Sequence, residues 1–220
     1  MISDLVLVPA EGVPLAGDLV VPGPAQAVVL IAEGAVSSRS SPRDRAVAAV
    51  FHRVGLGTLL LDLLTERERR EDTRSGRHRF DIPFLARRLV SAIDWLRQRP
   101  ETAEVPVCLF GAETAAAAVL LAAAERPERV SAVVSRGGRP DLAHDALACV
   151  RAPVLFIVGG DDETDMRLGR EATEKLKGPS EIHTVPGATH LFQDPRDLGE
   201  VATAARDWFV SHLGKEQHSA

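Results

Sequence analysis

Residues 105–115 read VPVCLFGAETA. The first six form an apolar run of strand length, and from Thr114 onward an alanine-rich run has the composition of a buried helix. Between them stands Glu113, with Gly111 two positions before it and Ala115 two positions after. Small residues at those two places let a backbone turn sharply from strand into helix and hold up the side chain between them, the geometry of a nucleophile elbow. Such a turn ordinarily presents a hydroxyl or thiol. Here it presents a carboxylate, which attacks as an oxygen already charged and not through loss of a proton.

Outward from this turn, strand-like and helix-like runs alternate along the chain. Strands are expected at 5–8, 15–21, 27–32, 58–61, 105–110, 130–134, 154–158 and 181–185, the first two antiparallel across a turn at Glu11 and Gly12. Helical spacing covers 43–54, 82–97, 114–124, 165–176 and 198–213, with a shorter helix at 142–148. Uninterrupted apolar runs such as 27–32 belong to strands buried on both faces. The alternation predicts a doubly wound, mostly parallel sheet of about eight strands flanked by helices. It occupies a single domain over 1–213, and the polar tail 214–220 is expected to fray. Residues 65–79 have no apolar member and read as a surface loop, either a solvated connection or a flap over a pocket.

Composition narrows the partners. With 220 residues, 45% of them hydrophobic, the chain can bury the core of one α/β domain. A net charge of -5 and a pI near 5.8 give no general attraction to polyanions, so neither nucleic acid nor a membrane surface is expected. The N-terminus lacks the basic start and apolar core of a signal peptide, and a cytoplasmic location is the expectation. Cys108 and Cys149 match no zinc spacing and read as inert thiols in apolar surroundings.

Open α/β sheets build their sites beyond the carboxyl ends of the strands. Four such exits stand out: Glu33, Gly34 and Ala35; Glu113; Gly159 to Asp162; and Gly187 to His190. The chain order of elbow, acid and histidine is the order in which α/β-hydrolases supply nucleophile, orienting carboxylate and base. At these residues the chain resembles the α/β-hydrolase superfamily, and more closely its dienelactone hydrolase-like branch. The matching segments are Ser37 to Arg39, Phe80 to Ile82, SRGGRP at 135–140, GGDDE at 159–163 and GATHLF at 187–192. The resemblance implies an α/β-hydrolase fold without a large lid domain, with Asp162 as triad acid, His190 as triad base and Glu113 at the nucleophile position. By the same analogy, backbone N–H groups of Ala35 and Thr114 would form the oxyanion hole. Glu33 falls where many relatives carry a histidine and where dienelactone hydrolases have a glutamate close by.

Three uses of Glu113 compete. As a carboxylate nucleophile it would open an epoxide or displace a halide, leaving an ester for His190 to hydrolyse. In a general-base reading, Glu113 or Glu33 would activate water against a small ester or lactone, or remove a substrate proton. As part of a silent ionic network it would only line a pocket for a ligand or protein partner. Free N–H groups and the positive dipole end of the following helix attract a carboxylate in every case. Arg39, on a strand-exit loop, is a candidate either for binding an anionic substrate group or, more in keeping with its setting, for a surface ion pair; Arg136 is a candidate for lining the pocket, and Trp95 and Trp208 for core anchors. A small-molecule substrate and no cofactor are expected. A metal held by Glu33, Glu113 and His190 has no recognised spacing.

Overall fold

The computed structural model describes residues 1–32 and 39–213. Strands β1 (Ile2–Ala10) and β2 (Val13–Val21) form the expected antiparallel hairpin. There follow β3 (Val28–Ala32), α1 (Pro42–His52), β4 (Gly57–Leu61), α2 (Glu66–Ser75), α3 (Ile82–Arg97), β5 (Val107–Glu113), α4 (Ala115–Glu125) and β6 (Val130–Gly138). A kinked 3-10 segment, Pro140–Cys149, stands where a short helix was expected. The chain continues through β7 (Val154–Gly159), α5 (Glu163–Lys175), β8 (Ser180–Val185) and α6 (Pro195–Leu213).

The sheet order is β1-β2-β4-β3-β5-β6-β7-β8. β1, β2 and β4 pair antiparallel, and every pairing from β4 through β3 to β8 is parallel. All of β3 and β4 is buried, as their unbroken apolar sequences require. The two faces are covered by different helices. On one, Phe51 of α1 packs edge-on against Phe110 of β5 and Phe209 of α6, at centroid distances of 6.2 and 5.6 Å. On the other, the apolar stripe of α3 and the alanines of α4 close over the sheet. Ala115 to Ala118 are fully buried, their short side chains letting α4 lie close behind the elbow. This is the α/β-hydrolase fold, and among the described residues there is no large lid.

Residues 65–79 are not the expected loop. Thr65 caps α2, its hydroxyl accepting from the Glu68 N–H while the Glu68 carboxylate takes the Thr65 N–H at 2.8 Å. Glu66–Arg70 and Arg67–Glu71 pairs run along the exposed side. The helix is moored by Arg88 of α3, a fully buried guanidinium that donates to both Glu68 oxygens at 2.6 and 2.7 Å and to the Leu63 carbonyl. Its far end is tied by Asp72, whose buried carboxylate accepts from the His78 and Arg79 N–H groups and from the Arg79 side chain. The helix thus rests on ion pairs and a capping box, neither of which leaves an apolar periodicity in sequence.

One further expectation is corrected. Cys108 is buried, and burial pushes its thiol up to about 12, but Cys149 is exposed at the end of the 3-10 segment. Among the described residues no helix is long and apolar enough to cross a membrane. The tail 214–220 lies outside the described residues.

Candidate active site

Glu113 is the last residue of β5 and holds φ at +54°, a left-handed backbone that costs a non-glycine residue about 1–2 kcal/mol. The turn depends on Gly111: a Cβ there would lie 2.6 Å from the Ala115 carbonyl oxygen and from the Val119 side chain. Thr114 opens α4 without a side-chain cap, so the first N–H groups of that helix are left for another acceptor.

The SRGGRP segment brings the other arm of the site close. Gly137 has φ +45°, and a Cβ on it would collide with the His190 carbonyl. A Cβ on Gly138 would collide with the Glu113 carbonyl and with Ala116. Two consecutive glycines therefore sit between the elbow and the histidine loop. Gly138→Ala is expected to displace the elbow on the order of 1 Å, lowering turnover about 100-fold with the fold retained. Full activity in folded Gly138→Ala, measured by steady-state kinetics beside a thermal melt, would show that this close packing is dispensable.

Asp162 closes the exit of β7 and does two things with one carboxylate. Its Oδ1 accepts the Asp165 N–H at 2.9 Å, capping α5, and its Oδ2 accepts from His190 Nδ1 at 2.7 Å. The Asp165 N–H, and then the imidazole, hold this carboxyl below the usual range against the opposing effect of burial. His190 itself is half-exposed. Its loop is anchored by Phe192, fully buried, and by Arg43 of α1, which donates to the Leu191 and Phe192 carbonyls at 2.7 and 2.8 Å.

Glu113, Thr114, Asp162 and His190 line one cavity of about 530 Å³. Phe80 and Arg79, carried by the connection after α2, form part of its wall, and Phe80 is 65% exposed there. The two arginines singled out in sequence lie elsewhere. Arg39 pairs with Asp18 at 2.6 Å and with Asp62 at 3.4 Å, beside a different cleft. Arg136 is buried on β6 with its guanidinium 5.9 Å from the Phe110 ring and 5.8 Å from that of Phe192, and it does not line the cavity. Arg136 follows Ala132 and Val134 onto one sheet face, and that alternation was the available signal for its placement. Glu33 and Ala35 lie outside the described residues. No group of three His, Cys, Asp or Glu among the described residues is placed to hold a metal.

Sequence reasoning missed Asp165. It is 6% exposed, lines the same cavity, and burial pushes its carboxyl up to about 6. In sequence it is one more acid in the first turn of a helix.

Comparison with known proteins settles the lineage of this architecture. The model of the dienelactone hydrolase family matches residues 21–213. The chain belongs to that family. A crystal structure of dienelactone hydrolase from Anabaena variabilis is 49% identical, with a TM-score of 0.93 over 96% of this chain and 98% of that one. Est1E from Butyrivibrio proteoclasticus, 16% identical with a TM-score of 0.79 over 96% of this chain and 99% of that one, shares the fold. Two curated Mycobacterium tuberculosis proteins, from strains H37Rv and CDC 1551, are 49% identical over 94% of this chain and are named putative phosphoribosyl transferases. The chain spans 46% of their length. This dienelactone hydrolase family member thus combines a familiar scaffold with an acid at the elbow.

Proposed function

We propose that this chain hydrolyses a small ester or lactone, with Glu113 as general base and His190, oriented by Asp162, as general acid. The supporting observation is the 2.7 Å bond between His190 Nδ1 and Asp162 in the cavity that Glu113 also lines. A ring whose Nδ1–H is committed to a carboxylate offers Nε2 for chemistry. Glu113 takes a proton from water as the water oxygen bonds to the substrate carbonyl carbon. The tetrahedral oxyanion is met by the Thr114 N–H at the start of α4. On collapse the bond to the leaving oxygen breaks, that oxygen takes a proton from the His190 imidazolium, and Glu113 returns its proton to the ring. Glu33 and the Ala35 N–H are assigned supporting roles, a second carboxylate and a second oxyanion donor. The left-handed backbone at Glu113 also favours this reading, because strain held in a non-glycine residue gathers where geometry is used.

A panel of activated esters, lactones, epoxides and haloalkanes, read by product assay and intact protein mass, tests the proposal. Product from esters or lactones without a mass increase is expected. A stable adduct at Glu113 from an epoxide or haloalkane would select the carboxylate nucleophile, and tight binding with no product would leave a silent pocket.

A further inference from the structure

The Asp165 carboxylate reaches across the base of the site. It accepts the Gly159 N–H at 3.3 Å, and the nearby Gly138 N–H favours its charged form. Gly138 is paired with Glu113 across β5 and β6 and packs on its carbonyl. Gly159 ends β7 and packs against Ala188 and Thr189, next to His190. One side chain therefore bonds an amide beside the histidine loop and lies near an amide beside the elbow, while the Asp165 N–H is fixed by Asp162.

We infer that Asp165 is a positioning residue that holds the Glu113 arm and the Asp162–His190 arm in register. The inference rests on the functional reading above. A neutral side chain at this buried place would cost the fold less. Near neutrality Asp165 is instead an anion in a site that burial makes unfavourable for charge, and its pKa rises to about 6 as a result. The charged groups around it are Asp162 on its own turn, His190, and Glu113, Arg139 and Arg79 on the cavity wall. Both arginines are already paired, with Asp141 and Asp72, so neither is committed to Asp165. Stability supplied by a raised carboxyl is complete below its ordinary value and is lost as pH rises through about 6. A charge retained against stability, on amides that adjoin both reacting groups, is the signature of a residue kept for alignment.

Asp165→Asn and Asp165→Leu separate alignment from bulk stability. Asp165→Asn keeps one acceptor and removes the charge. It is expected to lose kcat roughly tenfold, with KM little changed, yet to melt no lower than the parent at pH 8 and to gain on it as pH rises through about 6. Asp165→Leu is expected to speed amide hydrogen exchange at Gly138 and Gly159 by roughly tenfold, leaving β3 amides unaffected. Unchanged exchange at both glycines overturns the inference, as does an Asp165→Asn variant that keeps parental kcat or melts lower at pH 8. If Asp165→Leu does not fold, the Asp165→Asn kinetics and melts decide. The exchange readout does not depend on turnover. Loss of the Glu113 mechanism would therefore leave it standing, and its own failure would leave that mechanism intact.

Discussion

Glu113→Gln is expected to lower kcat on the best ester or lactone by about 10²–10⁴-fold, the span general-base catalysis supplies, with KM changed by less than about twofold. Glutamine keeps the size and hydrogen-bonding reach of the side chain and the same left-handed backbone demand, so a thermal melt should be nearly unaltered. Glu113→Gly should be equally inactive but at least as stable as the parent, because glycine holds φ +54° without the steric penalty. Inactivity joined to undiminished stability would mark a strain kept for chemistry. A folded Glu113→Gln enzyme with kcat within twofold of the parent would remove Glu113 from the reaction.

The second large effect is on stability. Arg88→Met is expected to cost about 3–5 kcal/mol, because it leaves the part-buried Glu68 carboxylate without its principal partner. For a chain of this size that is a fall of roughly 6–20 °C in Tm. Burial alone would raise the Glu68 carboxyl, but Arg88 and the Thr65 bonds outweigh it and pull it down to about 2. The folded carboxyl lies below its ordinary value, so the stabilisation is complete above that value and is lost as pH falls towards about 2. The gap between parent and variant should therefore narrow in acid. Replacing both partners, as Arg88→Met with Glu68→Leu, should recover part of the loss. A single variant within 1 kcal/mol of the parent at neutral pH, by denaturant titration, would show that α2 does not hang on this pair.

Much of this molecule was open to reading before any coordinates. Helix α3 lies over Ile82–Arg97 as its 3.6-residue spacing indicates, with Asp81 accepting the Phe84 N–H at its start. Strand β5 runs past Phe110 to Glu113 because Gly111, Ala112 and Glu113 pair with β6, a tertiary effect that local composition does not carry. Helix α2 was overlooked because its residues signal only solvent, although Thr65 and Glu68 stand at capping-box spacing. At the site, the order of strand exits brought Glu113, Asp162 and His190 to one cavity. Arg39 and Arg136 were singled out by charge and by their place near strand exits, and for Arg39 the ion-pair alternative is the one that holds. Charge says nothing about whether a partner such as Asp18, or a strand face, has already claimed the side chain. Asp165 had no distinguishing neighbour in sequence, and only its burial and the two glycine amides reveal it.

The most direct test of Glu113 as a base is multiple turnover in ¹⁸O-labelled water, followed by the mass of the product and of the peptide bearing Glu113. A base predicts one labelled oxygen in each product acid from a single hydrolysis and none in the Glu113 carboxylate. Label accumulating in that carboxylate, with the first product unlabelled, would contradict it and make Glu113 the nucleophile.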